Sequence, residues 1–297
     1  MSTLLARYRN GGTEVKLHSD GTKMRFILDE NDPPVLCEQM DLKITDWCDA
    51  GCAWCHEGST TKGTHADLAK TLRLLRVLPA GAEIAIGGGD PLSHPGFESF
   101  VLALRAQGLV PSVTVNGRHL ERSRAMLERL IGKGALFGVG VSYFDALPQF
   151  DYEHLVLHLI AGVHAPSVLD EATKPLKVLL LGYKHHGRGK HLYRVRPAHI
   201  EERLESWYRE LPWMAKAHKL SFDNLAITQL KPQRLFADPA EFALRYMGPE
   251  GAYSMYVDAV SETYGLSSYS DTRYPWSDLQ TMFSHVRNMQ SAPALAA

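Results

Sequence analysis

Residues 40–56 read Met-Asp-Leu-Lys-Ile-Thr-Asp-Trp-Cys-Asp-Ala-Gly-Cys-Ala-Trp-Cys-His. The first part, Met40–Thr45, is short and mostly apolar or β-branched, as a strand buried on both faces should be. Cys48, Cys52 and Cys55 follow it directly, so the cysteine cluster belongs on a loop at the carboxyl end of a strand, where barrel enzymes put their chemistry. Outward from this point the same alternation recurs. Five further strands are expected at Glu83–Ile86, Ser112–Val115, Phe137–Ser142, Lys177–Leu181 and Leu225–Gln229. Between them, helices are expected at His65–Leu78, Pro95–Gln107, Glu121–Ile131, Tyr152–Val163 and Ile200–His218, with Leu68, Leu72 and Leu75 at helical spacing. Pro79-Ala80-Gly81, Gly108 and Gly132-Lys133-Gly134 supply turns.

This order predicts an α/β fold: a partial (βα)6 TIM-like barrel with a small C-terminal appendage. The expected organisation is an N-terminal segment over 1–37, the barrel over 38–237, and an appendage over 238–297. The appendage should hold a helix and a hairpin of Met255–Val260 with Thr263–Ser267. The 297 residues are 45% apolar and 22% charged, with 32 Lys and Arg against 33 Asp and Glu, which excludes disordered, collagenous and coiled-coil chains. No apolar run approaches the roughly 20 residues of a membrane span, and the N-terminus lacks a secretory signal pattern, so a cytoplasmic location is expected. In such a reducing compartment, three cysteines within eight residues read as a metal or iron–sulfur site rather than a disulfide framework.

Three thiolates at C-x3-C-x2-C can bind three irons of a [4Fe–4S] cluster and leave the fourth open to a small molecule. A structural zinc with His56 as fourth ligand is the alternative reading of the same residues. The spacing, with Trp54 before the third cysteine, resembles the signature of the radical S-adenosylmethionine (SAM) enzymes. The resemblance implies a [4Fe–4S] cluster on Cys48, Cys52 and Cys55 that, fed by an external electron donor, cleaves SAM to a 5′-deoxyadenosyl radical. Gly87-Gly88-Gly89-Asp90-Pro91 after the second strand is similar to the family's Gly-Gly-Asp-Pro, which implies cofactor contacts at Gly88, Gly89 and Asp90. Glycines there would let the backbone approach a ligand, and the carboxylate would accept from its ammonium. Asn116, in a turn similar to the family's Thr-Asn-Gly, and Ser142, at the end of the fourth strand, are expected near the cofactor as well. With no cysteine after Cys55, one cluster is expected. Cys37 could donate a hydrogen atom to a product radical or be a small buried hydrophobe.

The segment Lys174–His199 carries seven Lys or Arg, four His and no acid. It starts in the fifth strand, so Lys184, His185, His186, Arg188 and Lys190 are expected on a basic loop at the same mouth, suited to phosphate groups. Tyr143, Lys184, His185, Arg188 and Gln229 are the expected substrate contacts by position. Leu181-Gly-Tyr-Lys with Gly187-Arg-Gly, Ser221-Phe-Asp-Asn-Leu225, and Gly248-Pro-Glu-Gly with Met255-Tyr-Val-Asp look like segments of compact bacteriophage radical SAM proteins. That narrower resemblance implies thymidine hypermodification: isomerisation of a glycine N-linked to the thymine methyl carbon into its C-linked form, with modified DNA as partner. Rival readings are a 7-carboxy-7-deazaguanine synthase-like enzyme, a glycyl-radical activase, and, in another class, a zinc-stabilised nucleic-acid-binding protein. An iron–sulfur electron carrier fits poorly with three clustered ligands on a long chain.

Overall fold

The computed structural model describes residues 2–291. Three antiparallel strands, β1 (Leu4–Asn10), β2 (Thr13–His18) and β3 (Lys23–Ile27), come first and form their own sheet. The main sheet then starts with β4 (Gln39–Lys43), β5 (Glu83–Gly87), β6 (Val110–Asn116), β7 (Gly138–Ser142), β8 (Leu155–Ile160), β9 (Lys177–Leu181) and β10 (Lys219–Phe222). These seven neighbour one another in chain order, all parallel. From the C-terminal part, β11 (Ser254–Asp258) pairs parallel with the other side of β4, and β12 (Thr263–Gly265) and β13 (Tyr274–Pro275) extend that edge antiparallel. The sheet is not closed, since β10 and β13 are its edges.

The helices are α1 (Leu68–Leu75), α2 (Phe97–Ala106), α3 (Gly117–Gly132), α4 (Gly187–Val195), α5 (Pro197–Ala217), α6 (Asn224–Leu230), α7 (Pro239–Arg245) and α8 (Leu279–Ser291). Capping decides several starts. The side chains of Asp67, Asn116 and Asp223 accept from the amides of Lys70, Arg118 and Ala226, and Pro197 opens α5 where its missing N–H costs nothing.

Alternation along the strands separates two faces. Met40, Leu42, Ile84, Ile86, Val113, Val139 and Val141 pack against Leu75, Phe97, Phe100, Leu104 and Leu127 of the helices. A second cluster joins Leu157, Leu159, Val178 and Leu180 to Trp207 and Leu211 of α5, where the Trp207 indole donates to the His164 carbonyl at 2.7 Å. The opposite face carries Asp41, Lys43, Gly87, Thr114, Gly140, Ser142 and His158. This is the more open face, with Asp41 exposed and Gly87, Thr114, Ser142 and His158 half-buried, and it lines a chamber.

Two expected elements exchange identity. Tyr152–Val163 is not a helix: Leu155–Ile160 is β8, an apolar run that buries Leu157 and Leu159 on one face and half-buries Val156, His158 and Ile160 on the other, as a strand between two neighbours does. Leu225–Gln229 is not a strand: it lies in α6, started by Asp223, and the strand sits earlier, at Lys219–Phe222. The basic segment is not a loop, since Gly187–Val195 is α4. The expected hairpin forms with shorter strands.

The N-terminal residues fold because Val15 and Leu17 are fully buried and their charges find partners at the start of the main strands. Arg25 bonds buried Glu38 at 2.7 Å, and Lys23 pairs with Glu83. This sheet therefore closes the end of the barrel opposite the cysteine loop. Cys37 sits at that same end, 1% exposed in the core, its thiol pushed up to about 12 by burial, and far from any role at the mouth. Among the described residues no helix is long and apolar enough to cross a membrane.

Leu42 lies between β5 and β11 at 1% exposure. Leu42→Ala is expected to cost about 2–5 kcal/mol in urea denaturation, whereas Leu244→Ala, at an 89% exposed site, should stay within about 0.5 kcal/mol.

Candidate active site

Cys48, Cys52 and Cys55 lie on the irregular stretch between β4 and α1. Its limbs touch at two isolated bridges, Thr45 with His65 and Trp47 with Thr60. A loop this long has no ladder of its own, so other elements hold it. The turn after β5 lies along its first limb: Gly89 N donates to Thr45 O and Asp90 N to Trp47 O, both at 2.7 Å. A Cβ on Gly89 would stand 2.2 Å from the Trp47 carbonyl oxygen. Gly88 and Gly89, expected to admit a ligand, thus admit the cysteine loop's own backbone.

Helix α3 holds the middle. Asn116 donates its amide N–H to the Cys52 sulfur at 3.3 Å, and Arg118 reaches the Ala50 carbonyl at 2.9 Å. Arg122 forks onto Asp49 at 2.8 and 2.9 Å and His119 Nε2 lies 2.8 Å from the same carboxylate. The third grip comes from α4. Arg188 donates to the carbonyls of Cys52 and Ser59, each at 2.8 Å, while its backbone N–H reaches the Cys55 carbonyl at 2.9 Å. Gly187, at φ +52°, allows this approach, since a Cβ there would lie 2.4 Å from the His56 carbonyl oxygen.

The fourth grip is electrostatic. Lys43, nearly buried, places its ammonium 2.6 Å from Asp46, 2.9 Å from Glu57 and 3.2 Å from Asp258. Burial alone would lower the Lys43 pKa, but Glu57, Asp46 and Asp258 raise it above the ordinary range. Burial opposes ionisation of Glu57, yet its bonds from His56 and Lys43 outweigh that and hold the carboxyl well below its usual value. The Tyr256 hydroxyl adds a 3.3 Å bond to Glu57, so β11 is tied to the loop.

Burial pushes the Cys48 and Cys52 thiols up, against the Asn116 bond at Cys52. Partly buried thiols beside one another gain by becoming metal-bound thiolates. Among the described residues the group of donors drawn close enough for a single ion is Cys48, Asp49 and His119, within 4.8 Å. It uses one of the three cysteines, and Asp49 is already paired with Arg122. Three thiols on one zinc would stand about 3.8 Å apart at a Zn–S bond of about 2.3 Å, and among the described residues the three cysteines are not drawn together into such a set. His56 is turned to Glu57 at 3.3 Å rather than toward the thiols as a fourth ligand. Beside them Asp90, 3% exposed, gives one oxygen to Arg122 at 2.6 Å and, at 3.4 Å, to His119. Its other oxygen is buried without a partner, an unsatisfied acceptor that a ligand ammonium would relieve. Burial works against the Asp90 charge, but His119 and Arg122 keep its pKa low.

Residues 42–174 match the model of the Radical SAM superfamily. This segment is a radical SAM domain. Such a domain is an enzyme domain, and its cofactors are a [4Fe–4S] cluster and SAM; the donor set and the unpaired Asp90 oxygen fit them. The fold is shared with Streptococcus suis SuiB. The SuiB structure bound to precursor peptide SuiA is 11% identical at a TM-score of 0.60, covering 88% of this chain and 68% of that one. The SuiB structure bound to S-adenosylmethionine is 12% identical at 0.58, covering 86% and 68%. No curated protein sequence matches the chain.

The remaining expected contacts around the radical SAM domain divide. Trp54 packs near Phe144 and His164, with ring centroids 5.7 and 5.6 Å away, and Tyr143 meets the same His164 ring at 5.2 Å. Ser142 ends β7 on the chamber face. Gln229 exchanges hydrogen bonds with both backbone groups of Tyr183, at 2.8 and 3.1 Å, so its amide is spent on fixing the chain after β9. Arg188 is likewise spent on the cysteine loop. His185 is exposed and stacks edge-on with Tyr193 at 4.3 Å, and Lys184 points to Ser268 at 2.8 Å. Lys43, Glu57, His119 and Arg122 were not singled out in the sequence. The signal for Lys43 was present: in Met40–Thr45 it and Asp41 are charges two apart, on the face that the apolar residues leave.

Lys43→Met leaves Glu57 and Asp258 together without their cation and is expected to cost about 3–5 kcal/mol in urea denaturation. Because the Glu57 pKa is depressed by folding, its stabilisation is complete above its ordinary value of 4.5 and is lost as pH falls through the folded value. Glu57→Gln should therefore flatten the loss of stability on acidification below about pH 4.5, measured by thermal melts across pH.

Proposed function

We propose that the chain abstracts a hydrogen atom from a substrate held on the concave face of its main sheet. The observation that carries this is a cysteine loop gripped on four sides at the chamber's mouth, next to a buried carboxylate oxygen without a partner. When bound, the cluster and SAM supply a 5′-deoxyadenosyl radical, able to take hydrogen from an unactivated carbon. Cys48, Cys52 and Cys55 would hold the cluster, and Asp90 would accept from the amino group of SAM. Asn116 and Arg188 keep Cys52 in position. Trp54, Tyr143 and Phe144 wall the site and exclude water, which protects a reactive radical from side reactions.

For the substrate we propose a glycine-bearing thymidine in DNA, its N-linked glycine isomerised to the C-linked form. Support comes from the outer side of α4 and the start of α5, where Lys190, His191, Arg194, Arg196 and His199 are exposed beside a helix whose first turn packs on Cys55. Cations in that place suit a phosphate backbone leading to the mouth. A small-molecule substrate or a partner polypeptide, the latter being what the SuiB structure carries, are the competing outcomes.

The test is anaerobic reconstitution with iron and sulfide, then measurement of 5′-deoxyadenosine with SAM and a reductant, with and without DNA carrying the modified thymidine. Formation by wild type and not by Cys52→Ala, with stimulation by that DNA, is the expected result. Absence of the nucleoside from loaded wild type contradicts the reaction, and indifference to DNA contradicts the substrate. Arg194→Glu should weaken binding of that DNA and make the affinity less steeply dependent on salt.

A further inference from the structure

Asp90 opens a short 3₁₀ turn, Pro91–Ser93, and a carboxylate at such a position ordinarily turns back onto the turn's own free amides. Here it does not. The side chain makes no capping bond, and the hydroxyl and amide of Ser93 donate instead to the Asp90 carbonyl, at 2.6 and 3.1 Å. The Asp90 amide is fixed as well, on the Trp47 carbonyl at 2.7 Å. What the backbone leaves open is the direction of the carboxylate, and α3 sets it.

His119 and Arg122, three residues apart and so on one face of α3, meet two carboxylates at once. Arg122 Nη2 donates to Asp49 at 2.9 Å and to Asp90 Oδ2 at 2.6 Å, while Arg122 Nη1 takes the other Asp49 oxygen at 2.8 Å. His119, 3% exposed, lies between the same two acids, with Nε2 2.8 Å from Asp49 and Nδ1 3.4 Å from Asp90 Oδ2. Both contacts on the Asp90 carboxylate fall on one oxygen. Oδ1 is the oxygen left over, buried and without a partner among the described residues. Asp49 directly follows Cys48, so the guanidinium ties the cysteine loop to Asp90.

We propose that Arg122 is a positioning residue for SAM: by holding Asp90 Oδ2 against Asp49, it leaves Oδ1 as the acceptor for the cofactor's amino group, at a fixed place relative to Cys48. The proposal rests on Asp90 being the acceptor for that group, and Arg122 acts only through Asp90. Its fork spans both carboxylates with full hydrogen bonds, whereas His119 reaches Asp90 only at 3.4 Å. Without the guanidinium the Asp90 carboxylate is free to fall back onto the amides of its own turn. The thiols keep other supports, since Asn116 and Arg188 still hold Cys52.

The test is titration of SAM into the reduced, reconstituted enzyme, followed by the change in the cluster's electron paramagnetic resonance signal, with iron content measured on the same samples. A second probe is the SAM analogue carrying hydrogen in place of the amino group. Arg122→Met is expected to load about four irons, to give the wild-type signal before SAM, and to bind SAM about tenfold more weakly or worse. Its affinity for the analogue should equal that of the wild type, a selectivity that general loosening of the loop would not produce. Arg122→Lys keeps a cation but cannot fork onto two carboxylates, and should recover part of the loss. Asp90→Asn should match Arg122→Met, and the double variant should be no weaker than either. Unchanged SAM affinity in Arg122→Met, equal losses for SAM and the analogue, or losses that add in the double variant overturn the positioning role. Failure of both Arg122 variants to load iron overturns it too, since the guanidinium would then serve the thiols. Unchanged SAM affinity in Asp90→Asn overturns the reading of Asp90 itself, whereas weakened binding there beside unchanged binding in Arg122→Met overturns this proposal alone.

Discussion

Cys52 is fixed at two atoms by two different helices: its sulfur by the Asn116 amide at the start of α3, its carbonyl by the Arg188 guanidinium in the first turn of α4. The rest of the site depends on that double hold. A stretch of chain without its own ladder cannot keep three thiols in register, so order must be imported from elements that the sheet already fixes. Hydrogen bonds from a charged guanidinium to carbonyls are worth about 1.5–3 kcal/mol each, and Arg188 makes two. The grips at Asp49, Ala50, Cys55 and Glu57 follow the same logic. Those at Asp49 and Ala50 come from α3 after β6, that at Cys55 from α4 after β9, and that at Glu57 from β4 and β11, and together they hold a loop without its own ladder in one arrangement.

Charge is distributed accordingly. Around the loop, cations and carboxylates are satisfied in contact: Lys43 with three acids, and Arg122 with Asp49 and Asp90. Such pairs hold geometry. Beside the cysteines satisfaction is incomplete, since one oxygen of Asp90 is buried without a partner. Incomplete pairing in a buried setting is costly, and proteins retain it where a ligand completes it.

Much of this was legible in the sequence where local chemistry is decisive. The strand Met40–Thr45, the cysteine spacing and the Gly-Gly-Asp turn specify loop and partner directly, and Asp67 and Asn116 announce helix starts. Leu155–Ile160 was illegible as a strand because an apolar run without alternation fits either a buried strand or one side of a helix, and only neighbouring strands decide. Leu225–Gln229 misled by its branched residues, although Asp223 two positions before it was the cap that started a helix. Arg188 reads as a phosphate ligand in a basic run; only the approach of Gly187 to His56, a contact between residues far apart in sequence, shows that its charge is used internally. The N-terminal sheet was hidden because most of its apolar residues stay exposed, only Val15 and Leu17 being fully buried, and its ion pairs are to Glu38 and Glu83, outside the strands themselves.

The central claim is that the three cysteines, as held, bind a [4Fe–4S] cluster with one iron left open for SAM. The most direct measurement is electron paramagnetic resonance of the anaerobically reconstituted, reduced protein before and after SAM is added, with iron and zinc content determined on the same sample. The account predicts about four irons per chain, little zinc, and a cluster signal that changes shape when SAM binds. A chain that takes up zinc in place of iron, or a cluster signal that SAM leaves unchanged, contradicts it.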